Sequence, residues 1–141
     1  MNWIFLLGLS FLFQPQQNLE GTWQGTLTHE GGYAASYGIM IHLSQKGDTF
    51  SGRSVVKVED ITATMEIEGK YLGKDLLVLK DIKIVDQSIK GGMEWCLKEY
   101  QLRLEQDKEG KLTLSGTWQG STSFGLCIPG TLKLERPKER A

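Results

Sequence analysis

Few side chains in this sequence have the types and spacing that enzyme chemistry needs. The chain has two cysteines and two histidines, widely spaced, and they match no zinc pattern. A nucleophilic trio can be chosen from Ser54, His42 and Asp48, but no motif fixes their geometry. Glu94 and Glu99 could form a carboxylate pair for acid–base chemistry, although the pattern favours solvated residues on an exposed strand. We therefore expect no enzyme, no metal and no cofactor.

Five aromatic side chains and a methionine make a better candidate for a binding site. They fall in or beside the long segments between predicted strands: Tyr33, Tyr37, Met93, Trp95, Trp118 and Phe124. Amphipathic aromatic side chains at a cavity rim commonly bind ligands or partners. The alternative is that they plug the rim and complete the core, because a narrow barrel can be filled by its own side chains.

The elements that position these residues are predicted to be strands. After residue 17 the sequence alternates apolar and polar residues in short runs separated by glycine, and no amphipathic helix is evident. Eight strands are predicted, at residues 19–28, 37–45, 49–58, 61–72, 75–85, 94–105, 111–119 and 130–136. Eight antiparallel strands in chain order close a small up-and-down barrel, so the predicted fold class is all-β.

Two of these strands break the alternation. In the fifth, Leu77 and Leu79 face away from the other apolar residues, which predicts a bulge or a second packing surface. Those other residues share one face: Leu76, Val78, Ile82 and Ile84. In the sixth strand, the phase slips near Lys98 and Glu99.

The connections predict a cup with one closed end, because alternate connections of a meander lie at opposite ends. Tight turns fall at one end, at residues 46–48, 73–74 and 107–110. The other end carries the remaining connections, at residues 30–36, 59–60, 86–92 and 120–129. The aromatic set maps to this wide end, where loops on a rigid scaffold concentrate binding residues.

The pentapeptide Gly-Thr-Trp-Gln-Gly occurs twice, at residues 21–25 and 116–120. On a strand, its glycines and its tryptophan share one face, which gives the indole room and lets the strand coil. The Gly-x-Trp at the start of the first strand of an eight-stranded meander resembles the calycin superfamily, which comprises lipocalins, fatty-acid-binding proteins and avidins. The resemblance implies that Trp23 crosses the closed end and that Arg136 packs on it as a cation on an indole.

The sequence after residue 17 also resembles small exported barrel proteins that are common in Bacteroidota. Several features of the calycins are missing from it. The helix after the barrel and the second motif of lipocalins, the helical lid of fatty-acid-binding proteins and the biotin-binding residues of avidins have no counterpart here. The resemblance therefore implies a barrel but no particular ligand.

The net charge of the protein bears on its partners, and the first residues of the sequence bear on its cellular compartment. The net charge of −1 leaves no basic stripe for a nucleic acid. The apolar run at residues 3–13 is too short to span a bilayer but suits a signal-peptide core. It lacks a preceding Lys or Arg and an evident cleavage pattern, so a buried N-terminal segment is the alternative. We expect residues 1–17 to be a signal peptide, residues 18–141 to form one barrel domain in the periplasm or outside the cell, and no transmembrane span.

Cys96 and Cys127 are predicted to form a disulfide, because an even number of cysteines in an exported protein favours one. One strand lies between their strands, which separates them by about 10 Å at ladder spacing. That distance exceeds the Cα reach of a disulfide. The bridge therefore requires residues 120–129 to fold over the seventh strand.

The predicted function is that of an exported module that binds a small apolar or amphipathic molecule at the wide end. The alternative is a protein-interaction or assembly subunit whose partner is another exported protein. That subunit would use the rim or an outer face at Leu77 and Leu79. An open cavity favours the first function, a filled barrel with an apolar outer patch favours the second, and converging polar groups inside the barrel favour an enzyme.

Overall fold

The computed structural model of the chain describes residues 16–29 and 36–137. Most of the predicted signal peptide, and Tyr33 of the aromatic set, lie outside these residues. The described residues form nine strands: β1 (Gly21–His29), β2 (Ser36–Lys46), β3 (Thr49–Val58), β4 (Ile61–Gly73), β5 (Leu76–Gln87), β6 (Leu97–Gln106), β7 (Leu112–Thr122), β8 (Gly125–Leu126) and β9 (Gly130–Glu135).

Eight of the strands close an antiparallel barrel. Each strand from β1 to β7 pairs with the next, and β9 lies between β7 and β1. The two-residue strand β8 pairs with the end of β7, as Ser121 with Leu126, and with no other strand among residues 16–29 and 36–137. The predicted all-β up-and-down barrel is therefore confirmed, with β8 as an additional strand inside the long connection before β9.

Strand β5 corrects one expectation about the outer surface. Leu77 and Leu79 are fully buried in the core, whereas Ile82 is 41% exposed. The pairing of β4 with β5 shifts register at three points, one of them between Glu66 and Ile67. Each shift moves β5 relative to its neighbour, so side chains that alternate in sequence do not keep to one face. The bulge is confirmed, and an outer packing surface at Leu77 and Leu79 is wrong.

The sixth strand begins three residues later than predicted, so the predicted start at residue 94 is wrong. Strand β6 begins at Leu97, and within it Lys98 shares the inward face with Tyr100 and Leu102, all three buried. The change of phase lies before the strand, because Trp95 is also buried but belongs to the preceding loop. A lysine therefore points into the barrel at a position where the sequence pattern had suggested only an irregularity.

Glycines of the repeated pentapeptide allow neighbouring strands to approach closely. A Cβ added to Gly25 would collide with the carbonyl oxygen of Lys133, and one added to Gly116 with that of Gln101. The backbone of the adjacent strand occupies the space that a side chain would fill. The two strands can therefore bend sharply beside their tryptophans, as the wall of a narrow barrel requires.

Trp23 and Arg136 close the narrow end. Trp23 is fully buried, and its Nε1 donates to the carbonyl of Leu19 at 2.9 Å. The Arg136 guanidinium lies 4.7 Å from the centre of the Trp23 ring system. It also donates to the carbonyls of Glu20 and Asn18. The guanidinium thus joins the indole to the backbone that leads into β1.

The segment before β1 forms the floor of the barrel. Leu19 is fully buried, and its N–H donates to the Gln45 side chain at 2.7 Å. The Tyr71 hydroxyl donates to the Gln17 carbonyl at 2.8 Å. Burial raises the pKa of Tyr71 to about 12, and the charge of Asp75 acts in the same direction. Side chains and the segment before β1 therefore occupy the narrow end in the part of the chain that the structure describes.

We predict that Trp23→Ala lowers the free energy of unfolding by about 3–5 kcal/mol, because it removes a large buried side chain. Arg136→Ala should cost about 1 kcal/mol, since its guanidinium is exposed and only the stacking and two hydrogen bonds are lost. Urea unfolding measures both. Arg53→Ala, at an exposed arginine on β3, is the matched control and should change little. An unchanged midpoint for Trp23→Ala would contradict the assigned barrel interior.

Candidate functional site

The wide end of the barrel holds a small, mainly apolar cavity of about 50 Å³. The walls come from five strands and the loop before β6. Its lining residues are Leu27, His29, Tyr37, Val56, Met93, Trp95, Cys96, Lys98 and Trp118. The cavity lies opposite the tight turns, at the end where the long connections were predicted.

The cavity brings together four of the six residues predicted for binding: Tyr37, Met93, Trp95 and Trp118. Trp95 and Trp118 are each only 4% exposed, so they form its walls rather than an outer rim. Phe124 does not line the cavity and is 85% exposed at the tip of the β7–β8 hairpin. Tyr33 lies outside the described residues.

Backbone hydrogen bonds fix both indoles. Trp95 Nε1 donates to the Ser88 carbonyl at 2.8 Å, and Trp118 Nε1 donates to the Thr28 carbonyl at 3.2 Å. A Cβ added to Gly130 would collide with that same Thr28 carbonyl and lie 2.9 Å from Trp118 Nε1. The glycine at the start of β9 therefore lets the Trp118 ring reach across to β1.

The His29 ring connects the aromatic wall of the cavity. Its centre lies 5.0 Å from that of Tyr37 and 5.6 Å from that of Trp118. These separations are typical of aromatic pairs that stabilise one another beyond simple burial. The wall of the cavity is therefore preordered on the β1–β2 side and on β7.

The predicted disulfide between Cys96 and Cys127 is confirmed, with a Cα–Cα distance of 6.5 Å. Both cysteines lie just outside regular strands, so neither is held at ladder spacing. The Cys127 N–H donates to the Gly120 carbonyl at 2.9 Å, which brings this loop against β7. The bridge ties the loop before β6, which carries Met93 and Trp95, to the connection before β9.

A buried ion pair lies inside the barrel beside the cavity. Lys98 Nζ is 3.2 Å from Asp81 Oδ2, and the two side chains are 4% and 0% exposed. The Lys98 backbone N–H donates to the same oxygen at 2.8 Å. Lys98 Nζ also donates to the Cys96 carbonyl at 3.0 Å. A buried charge needs partners of this kind, because its removal from water is costly.

Tyr100 and Ser54 extend this polar cluster into the core. The Tyr100 hydroxyl donates weakly to the Asp81 carboxylate, at 3.4 Å. Burial raises the pKa of the Asp81 carboxyl, and the Lys98 charge, together with hydrogen bonds from Lys98 and Tyr100, opposes that rise. Burial and the Asp81 charge also raise the pKa of Tyr100 well above its ordinary value. The fully buried Ser54 hydroxyl faces Tyr100 closely enough to lower its pKa, although it makes no hydrogen bond of normal geometry.

The other candidate chemical groups do not converge. Ser54 is buried inside the barrel, whereas His42 is exposed on the outer face. The His42 Nδ1 shares a hydrogen bond of 2.9 Å with Thr22 Oγ1. Glu94 is exposed, and hydrogen bonds from the Ser123 side chain and backbone lower the pKa of its carboxyl. Within residues 16–29 and 36–137, no group of three or more His, Cys, Asp or Glu side chains could hold a metal ion.

Exposed apolar side chains surround the wide end. Phe124 and Leu126 are 85% and 91% exposed on the β7–β8 hairpin. Three further large apolar residues near this end are also exposed: Ile89, Leu97 and Ile128. On the surface of a soluble protein such residues are usually scattered, whereas here five of them lie near the same end of the barrel.

The sequence interpretation missed the ion pair. Lys98 alternates with Tyr100, Leu102 and Leu104, and Asp81 alternates with Leu77 and Leu79. Period-two alternation would have placed Lys98 on the inward face of β6. It would have placed Asp81 on the face of Leu77 and Leu79, which the sequence interpretation took to point outward. Only the pairing of Lys80 with Glu99, which brings β5 and β6 side by side at this level, shows that the two charges meet.

The sequence matches no protein-family model, and no curated protein matches it with significant similarity. In the described part of the chain, no helix is long and apolar enough to cross a membrane.

We predict that Asp81→Leu alone destabilises the protein by about 3–5 kcal/mol, because it leaves the Lys98 charge buried without a counter-ion. The double variant Asp81→Leu/Lys98→Met should lose less than Asp81→Leu, because no charge remains to be compensated. Urea unfolding of the wild type, Asp81→Leu, Lys98→Met and the double variant gives the four free energies of a double-mutant cycle. Additive losses would contradict a direct Asp81–Lys98 interaction.

The free energy of unfolding of the Lys98→Met single variant should depend on pH more strongly than that of the wild type. Without the lysine, burial alone raises the pKa of Asp81 in the folded state above its unfolded value of about 3.9. The contribution of Asp81 to the stability of the variant is therefore largest below that unfolded pKa, and it is lost as the pH rises through the folded pKa. A wild-type-like pH profile would show that Asp81 is not desolvated.

Proposed function

We propose that this protein is an exported binding module that takes the end of a small amphipathic molecule into the cavity at its wide end. The observation that carries the proposal is the cavity itself, an apolar space walled by Tyr37, Met93, Trp95 and Trp118. The rest of the interior is closely occupied by buried side chains, from Leu19 at the narrow end upward. A preordered aromatic wall loses little side-chain entropy on binding.

The size of the cavity limits what it accepts. An engineered apolar cavity of about 150 Å³ takes up benzene, whereas this one measures about 50 Å³. It therefore suits a group smaller than a benzene ring, such as the terminal part of a short chain. The remainder of the ligand would lie in the mouth, where the flexible side chain of Met93 can adjust to it.

The calycin-like resemblance agrees with this proposal, because calycins carry ligands in the open end of a barrel. The disulfide supports export, because such bonds form and persist in oxidising compartments such as the periplasm and the extracellular space. It also holds the two loops beside the cavity together. We place the protein in one of those compartments.

A second candidate function is favoured by the exposed apolar residues at the same end. Phe124 and Leu126 would dock on a protein partner whose apolar surface is bordered by basic residues. Acidic side chains predominate at this end, and Lys90 already pairs with two of them: Glu59 and Asp60. This charge pattern argues against an anionic membrane surface as the partner.

We predict that the neutral ketone 2-hexanone binds in the cavity and shifts the indole N–H signals of Trp95 and Trp118 in a ¹H–¹⁵N NMR titration. The Trp23 signal, from the narrow end, is the internal control and should not move. Trp118→Ala should weaken binding by tenfold or more, because it removes one wall of the cavity. Lys46→Ala, at the opposite tight turn, should bind like wild type.

Two other results would contradict the ligand-binding proposal. In the first, the Trp95 and Trp118 signals stay still while the protein is saturated with the ketone. In the second, Phe124→Ser/Leu126→Ser abolishes capture of one specific basic partner protein while Trp118→Ala leaves that capture intact. The second result would favour the protein-interaction function.

The sequence predicts removal of the leader with a new N-terminus between Gln14 and Asn18, and the contacts of Gln17 lead us to propose a start at or before Gln17 instead of at Asn18. The Gln17 carbonyl accepts hydrogen bonds from the Tyr71 hydroxyl at 2.8 Å and from Gln45 Nε2 at 3.2 Å. Cleavage after Gln17 would remove that acceptor, so we expect the residue to be kept. Intact mass of protein recovered outside the cytoplasm measures the cleavage point. Recovery of the full chain from Met1 in the cytoplasm would contradict export.

A further inference from the structure

We propose that Lys98 is the polar anchor of the cavity and that it selects ligands ending in a neutral oxygen acceptor, such as a ketone, aldehyde, ester or amide carbonyl. This inference rests on the proposed binding function and names the chemical class of its ligand. It is drawn from the hydrogen bonds and the charge balance around one side chain.

The hydrogen-bond count of Lys98 leaves one donor for a ligand. An ammonium group has three N–H donors. Two of them have acceptors, the Asp81 carboxylate at 3.2 Å and the Cys96 carbonyl at 3.0 Å. Among residues 16–29 and 36–137, no third acceptor lies within hydrogen-bond distance of Nζ. An unmet donor on a side chain that is only 4% exposed is unfavourable, so a ligand oxygen that accepts from it would be stabilised.

The position of Lys98 directs that donor to the ligand. Lys98 is part of the cavity wall, and the other wall residues are mainly apolar or aromatic. Asp81, by contrast, is fully buried beside the cavity and does not line it. The lysine is therefore the charged group of the pair that a ligand can reach, and the apolar walls receive the rest of the inserted group.

The charge balance favours a neutral acceptor over a carboxylate. Asp81 already neutralises Lys98 within the barrel. A ligand carboxylate would bring a second negative charge close to Asp81 in surroundings that hold little water. The carboxylate would have to displace Asp81 from the lysine or take up a proton and bind as the neutral acid. A carbonyl oxygen accepts the third N–H without adding charge.

The test compares three ligands of similar length with the wild-type protein by the same NMR titration. The neutral carbonyl probe is 2-hexanone, 2-methyl-1-hexene replaces its oxygen by a methylene group, and hexanoate carries a charge. We expect 2-hexanone to bind about tenfold more tightly than the alkene, since a hydrogen bond to a charged group outweighs the greater hydrophobicity of the alkene. Hexanoate should bind more weakly than the ketone.

Variants then assign the selectivity to the lysine. In Asp81→Leu/Lys98→Met the preference should reverse, so that the alkene binds at least as tightly as the ketone. Lys98→Gln keeps an N–H donor and should retain part of the preference for the ketone. The three wild-type titrations do not depend on how well either variant folds.

Each outcome bears on a different claim. If the alkene or hexanoate binds wild type as tightly as 2-hexanone, the anchor is wrong but the cavity still binds ligands. If the double variant keeps the full preference for the ketone, the selectivity comes from another group and the assignment to Lys98 is overturned. If none of the three compounds moves the Trp95 and Trp118 signals, the proposed binding function fails.

Discussion

Closure of the barrel is the constraint on which the rest of this structure depends. Because β9 pairs with both β1 and β7, each of the eight barrel strands has two neighbours. An eight-stranded barrel of this kind has an interior just wide enough for its own side chains. In the part of the chain that the structure describes, the fully buried side chains are therefore mainly apolar, and the buried polar ones gather in one cluster around Asp81 and Lys98.

The two ends of the barrel use the same pentapeptide differently. Trp23 lies at the start of β1, so its indole meets the floor segment and the Arg136 guanidinium. Trp118 lies near the far end of β7, which runs in the same direction, so its indole walls the cavity. Each indole donates to a backbone carbonyl, but only the second borders open space. The position of the repeat along its strand determines which role it has.

The buried Asp81–Lys98 pair is the feature that a filled apolar barrel would not need. Replacing such a pair by apolar side chains is often neutral or stabilising, so its presence is weak evidence for stability alone. Its place beside the cavity, with Tyr100 and Ser54 behind it, gives the otherwise apolar mouth a single charged group. The disulfide and the Trp118 hydrogen bond hold the walls around that group. Together they supply rigid apolar walls and one directional donor, which are the usual elements of a small-molecule site.

The sequence by itself determined the barrel, its tight-turned end and four of the residues that meet at the other end. Alternation with period two and turn residues act over a few positions, so they are visible in the chain. Tertiary structure decided which face of β5 points inward, because register shifts against β4 change that face and leave no local signal. It also decided that Asp81 meets Lys98, because a contact between residues 17 apart depends on the pairing of β5 with β6. The cavity exists only where these long-range pairings meet.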